Sequence, residues 1–327
     1  MGFGMRTSTS PNQSRIARCG TAVVCLALST VVVSALIATG VKAQGAKTNL
    51  LVTPEWLGQH LNDPNLVLLH VGSKTDYFAE HIPGARFVDL DDIADSDHEK
   101  PGALMLQVPS AESLRDRLAN LGISDDSRVV VYYGTNWVTP ATRVVFTLDL
   151  AGLGAKTSLL DGGMGLWKEQ KRPVTREIAT AKKGTLSALN TRPIVVNAEW
   201  VKDNVGKPGI SVVDGRASSF YDGVETPRGM HGPQRTGHIA GAKSIPYTEV
   251  TTDKVVFKTT QDLEAIFSKA GVKPGDTVVG YCHIGQQATG MLFAARLLGH
   301  KVLLYDGSFE DWSAHAAYPV ATGAANK

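Results

Sequence analysis

The feature that most constrains this chain is a degenerate internal duplication. LVTPEWLGQHL near the start is answered by VVNAEWVKDNV, and VLLHVGSKTDY by SVVDGRASSFY. EHIPGARFVDLDDI is answered by GHIAGAKSIPYTEV, and RVVVYYGTNWVTPATRVVF by TVVGYCHIGQQATGMLFA. SLLDGGMGLWKEQKRPV is answered by LLYDGSFEDWSAHAAYPV. The pairs keep one order, and Glu55-Trp56 and Glu199-Trp200 stand 144 residues apart. A fold that satisfies one half must therefore satisfy the other.

Each half alternates short β-branched runs with helical patterns. In the second half the runs predict strands at 210–213, 242–245, 277–281 and 302–305. Helices are expected at 198–205, 261–269, 287–298 and 310–314, with Gly271 and Gly299 as stop signals. Strand–helix alternation implies an α/β fold, two tandem domains each built on a mostly parallel sheet flanked by helices. The stretch KRPVTREIATAKKGTLSALN, at 171–190, has few large apolar residues and reads as a linker. The expected organisation is a leader at 1–43, a first domain at 44–170, the linker, and a second domain at 191–327.

The leader is set apart by composition. Residues 1–18 carry Arg6, Arg15 and Arg18 with no acid, and the uncharged run that follows lasts until Lys42. Val41-Lys42-Ala43 then fits a signal-peptidase site, so cleavage after Ala43 is expected. The competing reading is an uncleaved anchor, since the run is long enough to cross a bilayer; only then would the protein be membrane-bound. Either way the bulk of the chain is expected in the periplasm or otherwise exported. Cleavage would take the formal net charge from +2 to about −2. No basic tract points to nucleic acid.

Cleavage also changes what the cysteines mean. Cys19 and Cys25 belong to the leader, which leaves Cys282 alone in the mature chain. An intramolecular disulfide and a cysteine-cluster metal site are then excluded. Cys282 is either a buried apolar side chain or a group kept for chemistry.

Its setting favours chemistry. Thr277–Tyr281 reads as a central strand, and apolar spacing resumes at Ala288, Met291, Leu292, Ala295 and Leu298. CHIGQQ thus links the carboxyl end of a strand to the amino end of a helix, the edge where open parallel sheets bind ligands. Such a turn points backbone N–H groups inward and favours negative charge at the thiol. Gly285 permits the tight turn. A phosphatase loop would need an arginine six positions after the cysteine, and Ala288 stands there.

HIPGA at 81–85, GHIAGA at 237–242, DGR at 214–216, YCHIGQQAT at 281–289 and the DG…W elements at 161–167 and 306–312 form an ordered, duplicated set. With its cysteine in the second copy alone, the set resembles the two-domain rhodaneses, the thiosulfate and 3-mercaptopyruvate sulfurtransferases. The resemblance covers about residues 48–320. It implies a catalytic second domain and an inactive first one, whose corresponding loop has Tyr133 near the cysteine's place and which walls the cleft with apolar residues such as Trp137. It implies that Cys282 is the nucleophile and that His283, Ile284, Gly285, Gln286, Gln287 and Ala288 form the loop that holds substrate.

Two family positions differ. Thiosulfate-specific members commonly carry basic residues one and two places after the cysteine, where this chain has His283 and Ile284. A further arginine typically lies four places after the DxR arginine, where this chain has Phe220. The Gly- and Pro-rich loop ahead of GHIAGA offers Arg228, His231 and Arg235 in their stead, and Arg228 and Arg235 are the candidate substrate-binding arginines. Asp214, Arg216 and His238 are expected to brace the site.

The expected activity moves sulfane sulfur from thiosulfate, a small anionic donor, to cyanide or a thiol acceptor through a Cys282 persulfide. No metal or organic cofactor is called for, and the protein is expected to be a monomer. The alternatives are 3-mercaptopyruvate as donor, or a persulfide carrier or binding protein without turnover.

Overall fold

The computed structural model describes residues 50–97, 100, 102–134, 136–180, 182–229 and 232–323, with the backbone alone for Arg228, Gly229, Gly232 and Pro233. The expected leader, its cleavage site and His231 lie outside the described residues. Among the described residues no helix is long and apolar enough to cross a membrane.

The first half forms a five-stranded parallel sheet from β1 (Leu51–Val52), β2 (Leu66–Val71), β3 (Arg86–Val88), β4 (Arg128–Tyr133) and β5 (Thr157–Leu160). Its order is β1-β5-β4-β2-β3. The second half repeats it with β6 (Val195–Val196), β7 (Ile210–Asp214), β8 (Lys243–Ser244), β9 (Thr277–Tyr281) and β10 (Lys301–Tyr305). Its order, β6-β10-β9-β7-β8, is the same order again. Central strands read as unbroken apolar runs because helices cover both faces.

Side chains that alternate along a strand go to different cores. Val67, Leu69 and Val71 of β2 join a cluster that runs through both halves and includes Val213, Val278, Met291 and Cys282. Leu68 faces a cluster confined to the first half, around Tyr132 and Trp167. Val212 and Val279 face its counterpart in the second, around Tyr281 and Trp312. One core is shared, and each half keeps another of its own.

The repeated motifs become repeated hydrogen bonds. Tyr132 OH accepts from the Ile82 N–H at 3.1 Å, and Tyr281 OH from the Ile239 N–H at 3.1 Å. His81 Nδ1 lies 2.7 Å from the Tyr77 carbonyl oxygen, and His238 Nδ1 lies 2.7 Å from that of Tyr221. Trp167 donates to the Pro173 carbonyl and Trp312 to the Pro319 carbonyl. Each motif residue satisfies a buried backbone group, which is costly to leave unpaired.

The halves meet through two almost wholly buried helices, Thr139–Leu150 and Gln287–Leu297. Thr142 and Thr289, equivalent in the repeat, place their hydroxyls 2.9 Å apart. Asp149 and Arg296, also equivalent, pair at 3.4 Å. A Cβ on Gly290 would lie 3.1 Å from the Thr139 methyl, so glycine there lets the helices approach. The pattern is that of a local pseudo-dyad between the two helices.

Trp137, expected to wall the cleft, is 44% exposed, and the neighbouring Val138 is buried. The interface uses Tyr133, whose hydroxyl donates to the Val255 carbonyl at 2.7 Å, and the threonines. Residues 171–190 form an irregular strap along the first half. Arg176 binds the Ala79 carbonyl, Gly184 N–H binds that of Ala119, and Ser187 binds Asp125.

Candidate active site

β9 ends at Tyr281, in register with Asp214 at the end of β7. The next residue is Cys282, a free cysteine with no exposed surface. Its N–H donates to Ser308 Oγ at 3.2 Å, and its carbonyl accepts from the Phe309 N–H at 3.0 Å. The His283 carbonyl accepts from the Glu310 N–H at 3.1 Å. The turn after β10 thus clamps the start of the cysteine loop.

The loop closes at Gly285, whose φ of +79° lies in the left-handed region. Among the described residues, the backbone N–H groups of residues 283 to 288 make no bond to a backbone carbonyl. They ring the amino end of the 287–297 helix, an arrangement suited to negative charge. Ala288 is fully buried, and its Cα lies 3.1 Å from where a Cβ on Gly215 would stand. Gln286 is nearly buried and donates from Nε2 to Thr139 Oγ1 of the first half at 3.2 Å. Gln287 Oε1 is buried without a partner among the described residues. Ile284 packs partly buried against the shared core.

Asp214 and Arg216 form an ion pair with no exposed side-chain surface. Arg216 Nε donates to Asp214 Oδ1 at 3.0 Å, and Nη2 donates to Oδ2 at 2.6 Å and to the Gly237 carbonyl at 2.7 Å. The guanidinium sits 4.1 Å from the centre of the Phe309 ring. Burial is the largest influence and works against its charge, but Asp214, through its charge and hydrogen bonds, together with Tyr281 and Cys282 holds the Arg216 pKa above its ordinary value. Nη1 is buried without a partner among the described residues.

His283 stacks edge-on against Phe220, ring centres 4.7 Å apart. Burial, and then the charge of Arg216, push His283 down to about 4. Next to the thiol, therefore, the described side chains present a neutral aromatic wall and one buried cation.

The other sequence candidates fall elsewhere. Arg235 Nη2 donates to the carbonyls of Tyr318 at 2.8 Å and Trp312 at 3.3 Å, which ties the 222–237 loop to the carboxyl-terminal segment. Its Nε is buried without a partner among the described residues. Arg228 lies on a two-residue strand, and its side chain is outside the described residues. His238 is buried and stacked on Tyr221 with ring centres 3.6 Å apart.

The turn at Asp306-Gly307-Ser308 is expected beside the cleft from the sequence, but the bond it makes to the cysteine is not: Ser308 holds the Cys282 N–H from a backbone with φ of +53°, where its counterpart is Gly163. A serine at a position where the other copy has glycine was the available signal. Arg143, in the first half, escaped sequence reasoning; its Nη1 donates to the Gly285 carbonyl at 3.0 Å. No local pattern marks it.

In the first half the same place is filled differently. His70 replaces Asp214, Gly72 replaces Arg216, Tyr133 replaces Cys282 and Gly134 replaces His283. A Cβ on Gly134 would stand 2.3 Å from His70 Nε2, so the imidazole occupies space that a side chain there would need. Burial, followed by the charge of His81, lowers His70 to about 4, and the ring is neutral at ordinary pH.

Two parallel α/β halves repeat one topology, and the second carries a buried free thiol at its strand–helix turn. The chain belongs to the rhodanese family of sulfurtransferases: the rhodanese-like domain model matches residues 53–170 and again 197–315. It is 30% identical over 283 residues to the thiosulfate sulfurtransferase of Cricetulus griseus, covering 82% of this chain and 93% of that one. It is 30% identical over 286 residues to the 3-mercaptopyruvate sulfurtransferase of Escherichia coli K12, covering 84% and 98%. Among solved structures, an anaerobic ergothioneine biosynthesis enzyme from Chlorobium limicola superposes with a TM-score of 0.74 at 20% identity, covering 85% of this chain and 71% of that one. YnjE superposes with a TM-score of 0.69 at 24% identity, covering 84% and 68%.

Proposed function

We propose that the protein transfers sulfane sulfur from thiosulfate to cyanide or a thiol through a persulfide on Cys282. The observation that carries this reading is a buried thiol at the start of a loop, 283 to 288, whose six backbone N–H groups have no backbone-carbonyl partner among the described residues. Those donors suit a sulfur anion and cost no reorganisation when charge moves. In the first step the Cys282 thiolate attacks the outer sulfur of thiosulfate; the S–S bond of the donor breaks, and sulfite departs with the electron pair. In the second, cyanide or a thiolate attacks the outer sulfur of Cys282–S–S⁻, giving thiocyanate or a new persulfide and restoring the thiolate. One transfer becomes two easier ones. Arg216 is the buried cation next to the thiol, and its free Nη1 suits the charge that the donor brings.

3-Mercaptopyruvate remains the second donor, because a relative of that name is as similar as the thiosulfate enzyme. The neutral Phe220–His283 wall favours it, since thiosulfate brings two charges and mercaptopyruvate one carboxylate. A carrier that passes its persulfide to a partner protein would share the first step and lack fast turnover with small acceptors. An exported location, after cleavage at Ala43 or on an anchor, and a monomeric state belong to the same proposal. Steady-state kinetics with each donor, using cyanide as acceptor, test the reading. A larger kcat/KM with thiosulfate, abolished in Cys282→Ser, supports it. Preference for mercaptopyruvate selects the second donor, and activity retained in Cys282→Ser overturns the persulfide.

A further inference from the structure

The halves of this protein differ where chemistry is expected, and one difference runs against the trend. Asp214, Arg216 and Cys282 occur in the second half and are replaced in the first by His70, Gly72 and Tyr133. Arg143 occurs in the first half, and its counterpart in the second is Gly290. Arg143 has no exposed side-chain surface, and it reaches beyond the half that carries it. Its Nη1 donates to the carbonyl of Gly285 at 3.0 Å and to Asp306 Oδ1 at 2.7 Å, both in the second half. Its Nη2 donates to the carbonyl of Leu106, in the first half, so the guanidinium bridges the two.

Asp306 is held in turn. Its Oδ2 accepts from the Val108 N–H at 2.8 Å. The equivalent carboxylate of the first half, Asp161, receives the Phe257 N–H at 3.0 Å, and among the described residues no arginine pairs with it. The repeat thus builds the carboxylate–crossing-loop contact twice and adds an arginine to one copy, the copy with the thiol.

The position of the contact matters more than its strength. Carbonyl and N–H of one trans peptide unit point in opposite directions. Fixing the Gly285 carbonyl on Arg143 therefore aims the Gln286 N–H the other way, toward the interior of the cysteine loop. A Cβ at Gly285 would stand 3.0 Å from Arg143 Nη1 and 2.9 Å from the Asp306 carbonyl oxygen, so the peptide is seated against both. The loop's own side chains are tied outward, Gln286 to Thr139 and Ile284 against the shared core, and Arg143 adds an anchor on the backbone itself.

We infer that Arg143 is a positioning residue for sulfur transfer: the half without a thiol reaches across the interface and sets the orientation of the donor N–H groups around Cys282. The inference rests on the persulfide reading above. It assigns the first half a part in the chemistry beyond walling a cleft. Misplacing reacting groups by about 1 Å can cost on the order of 100-fold in rate.

The test uses the full chain with Arg143→Lys, which keeps the charge next to Asp306 but cannot reach three acceptors in a plane. Arg143→Met combined with Asp306→Asn removes the ion pair as a unit and avoids leaving a lone buried charge. Single-turnover persulfide formation is followed by intact mass over a range of thiosulfate or mercaptopyruvate concentrations, with hydrogen exchange of the 281–292 segment measured in parallel. Both variants are expected to load sulfur about 10- to 100-fold more slowly at saturating donor, with the half-saturating concentration unchanged. Exchange at 283–288 should rise while that of β9 stays as in the wild type. A wild-type loading rate in either variant, or a loss expressed wholly in the half-saturating concentration, overturns the inference. Loading absent from the wild type itself would overturn the persulfide reading and the catalytic part of this inference with it. The exchange comparison would in that case still report whether Arg143 holds the loop.

Discussion

Separating Asp214 from Arg216 should destabilise the protein similarly from either side and change the thiol in opposite directions. The pair is fully buried, held by contacts of 2.6 to 3.1 Å, and lies beside Cys282. Removing one partner leaves an uncompensated buried charge, which costs about 3–5 kcal/mol. In a body of this size that lowers Tm by roughly 6–20 °C. Asp214→Asn keeps the shape and leaves Arg216 unneutralised, so the positive potential at Cys282 rises. Arg216→Met removes the cation and leaves a carboxylate in its place, so the potential falls. Iodoacetamide alkylation of Cys282 at fixed pH, read by mass, should be faster than wild type in Asp214→Asn and slower in Arg216→Met. The double variant should be more stable than the sum of the singles, because it removes both charges. Alkylation changing in the same direction in both singles, or strictly additive losses of Tm, would refute the argument.

Three further outcomes follow from the same geometry. Gly285→Ala forces a side chain into the left-handed region and against the Asp306 carbonyl 2.9 Å away; it should cost at least about 1–2 kcal/mol and slow persulfide formation, checked by thermal unfolding and single-turnover loading. Asp161, pushed up to about 6 by burial, binds its proton more tightly folded than unfolded. Stability from this group is therefore present at low pH and lost as pH rises toward 6, by up to about 3 kcal/mol, and Asp161→Asn should flatten that part of a stability–pH curve. His283, lowered to about 4, is neutral from mildly acidic to alkaline pH, so His283→Gln should leave the shape of the pH–rate profile between about pH 5.5 and 8 unchanged; a profile limb that disappears in the variant would count against this.

Much of the fold was legible in the sequence because duplication presents each structural need twice. The strand at 277–281 was read with its observed bounds, and the helix at 287–298 ends one residue earlier, at Leu297. His81 with His238, and the DG…W elements, repeat because each pair satisfies the same buried backbone groups. The two-residue edge strands β1 and β6 carry too few residues to show a period. Trp137 is 44% exposed, since bulk and apolarity do not say how deeply a turn residue is buried. Arg143 and Thr139 reach the cysteine loop from 142 and 147 residues away, and periodicity holds no information at that distance. Charge singled out Arg235 in a glycine-rich loop, and the carbonyls of Trp312 and Tyr318 that it binds were not legible, because they lie 77 and 83 residues on.

The most direct test of the central claim is the intact mass of the protein after incubation with thiosulfate and removal of excess donor. The account predicts a gain of one sulfur atom, located at Cys282 by peptide mapping, absent in Cys282→Ser and lost on addition of cyanide with release of thiocyanate. A wild-type mass unchanged by thiosulfate and by 3-mercaptopyruvate alike, or a sulfur that stays when Cys282 is replaced, would contradict it.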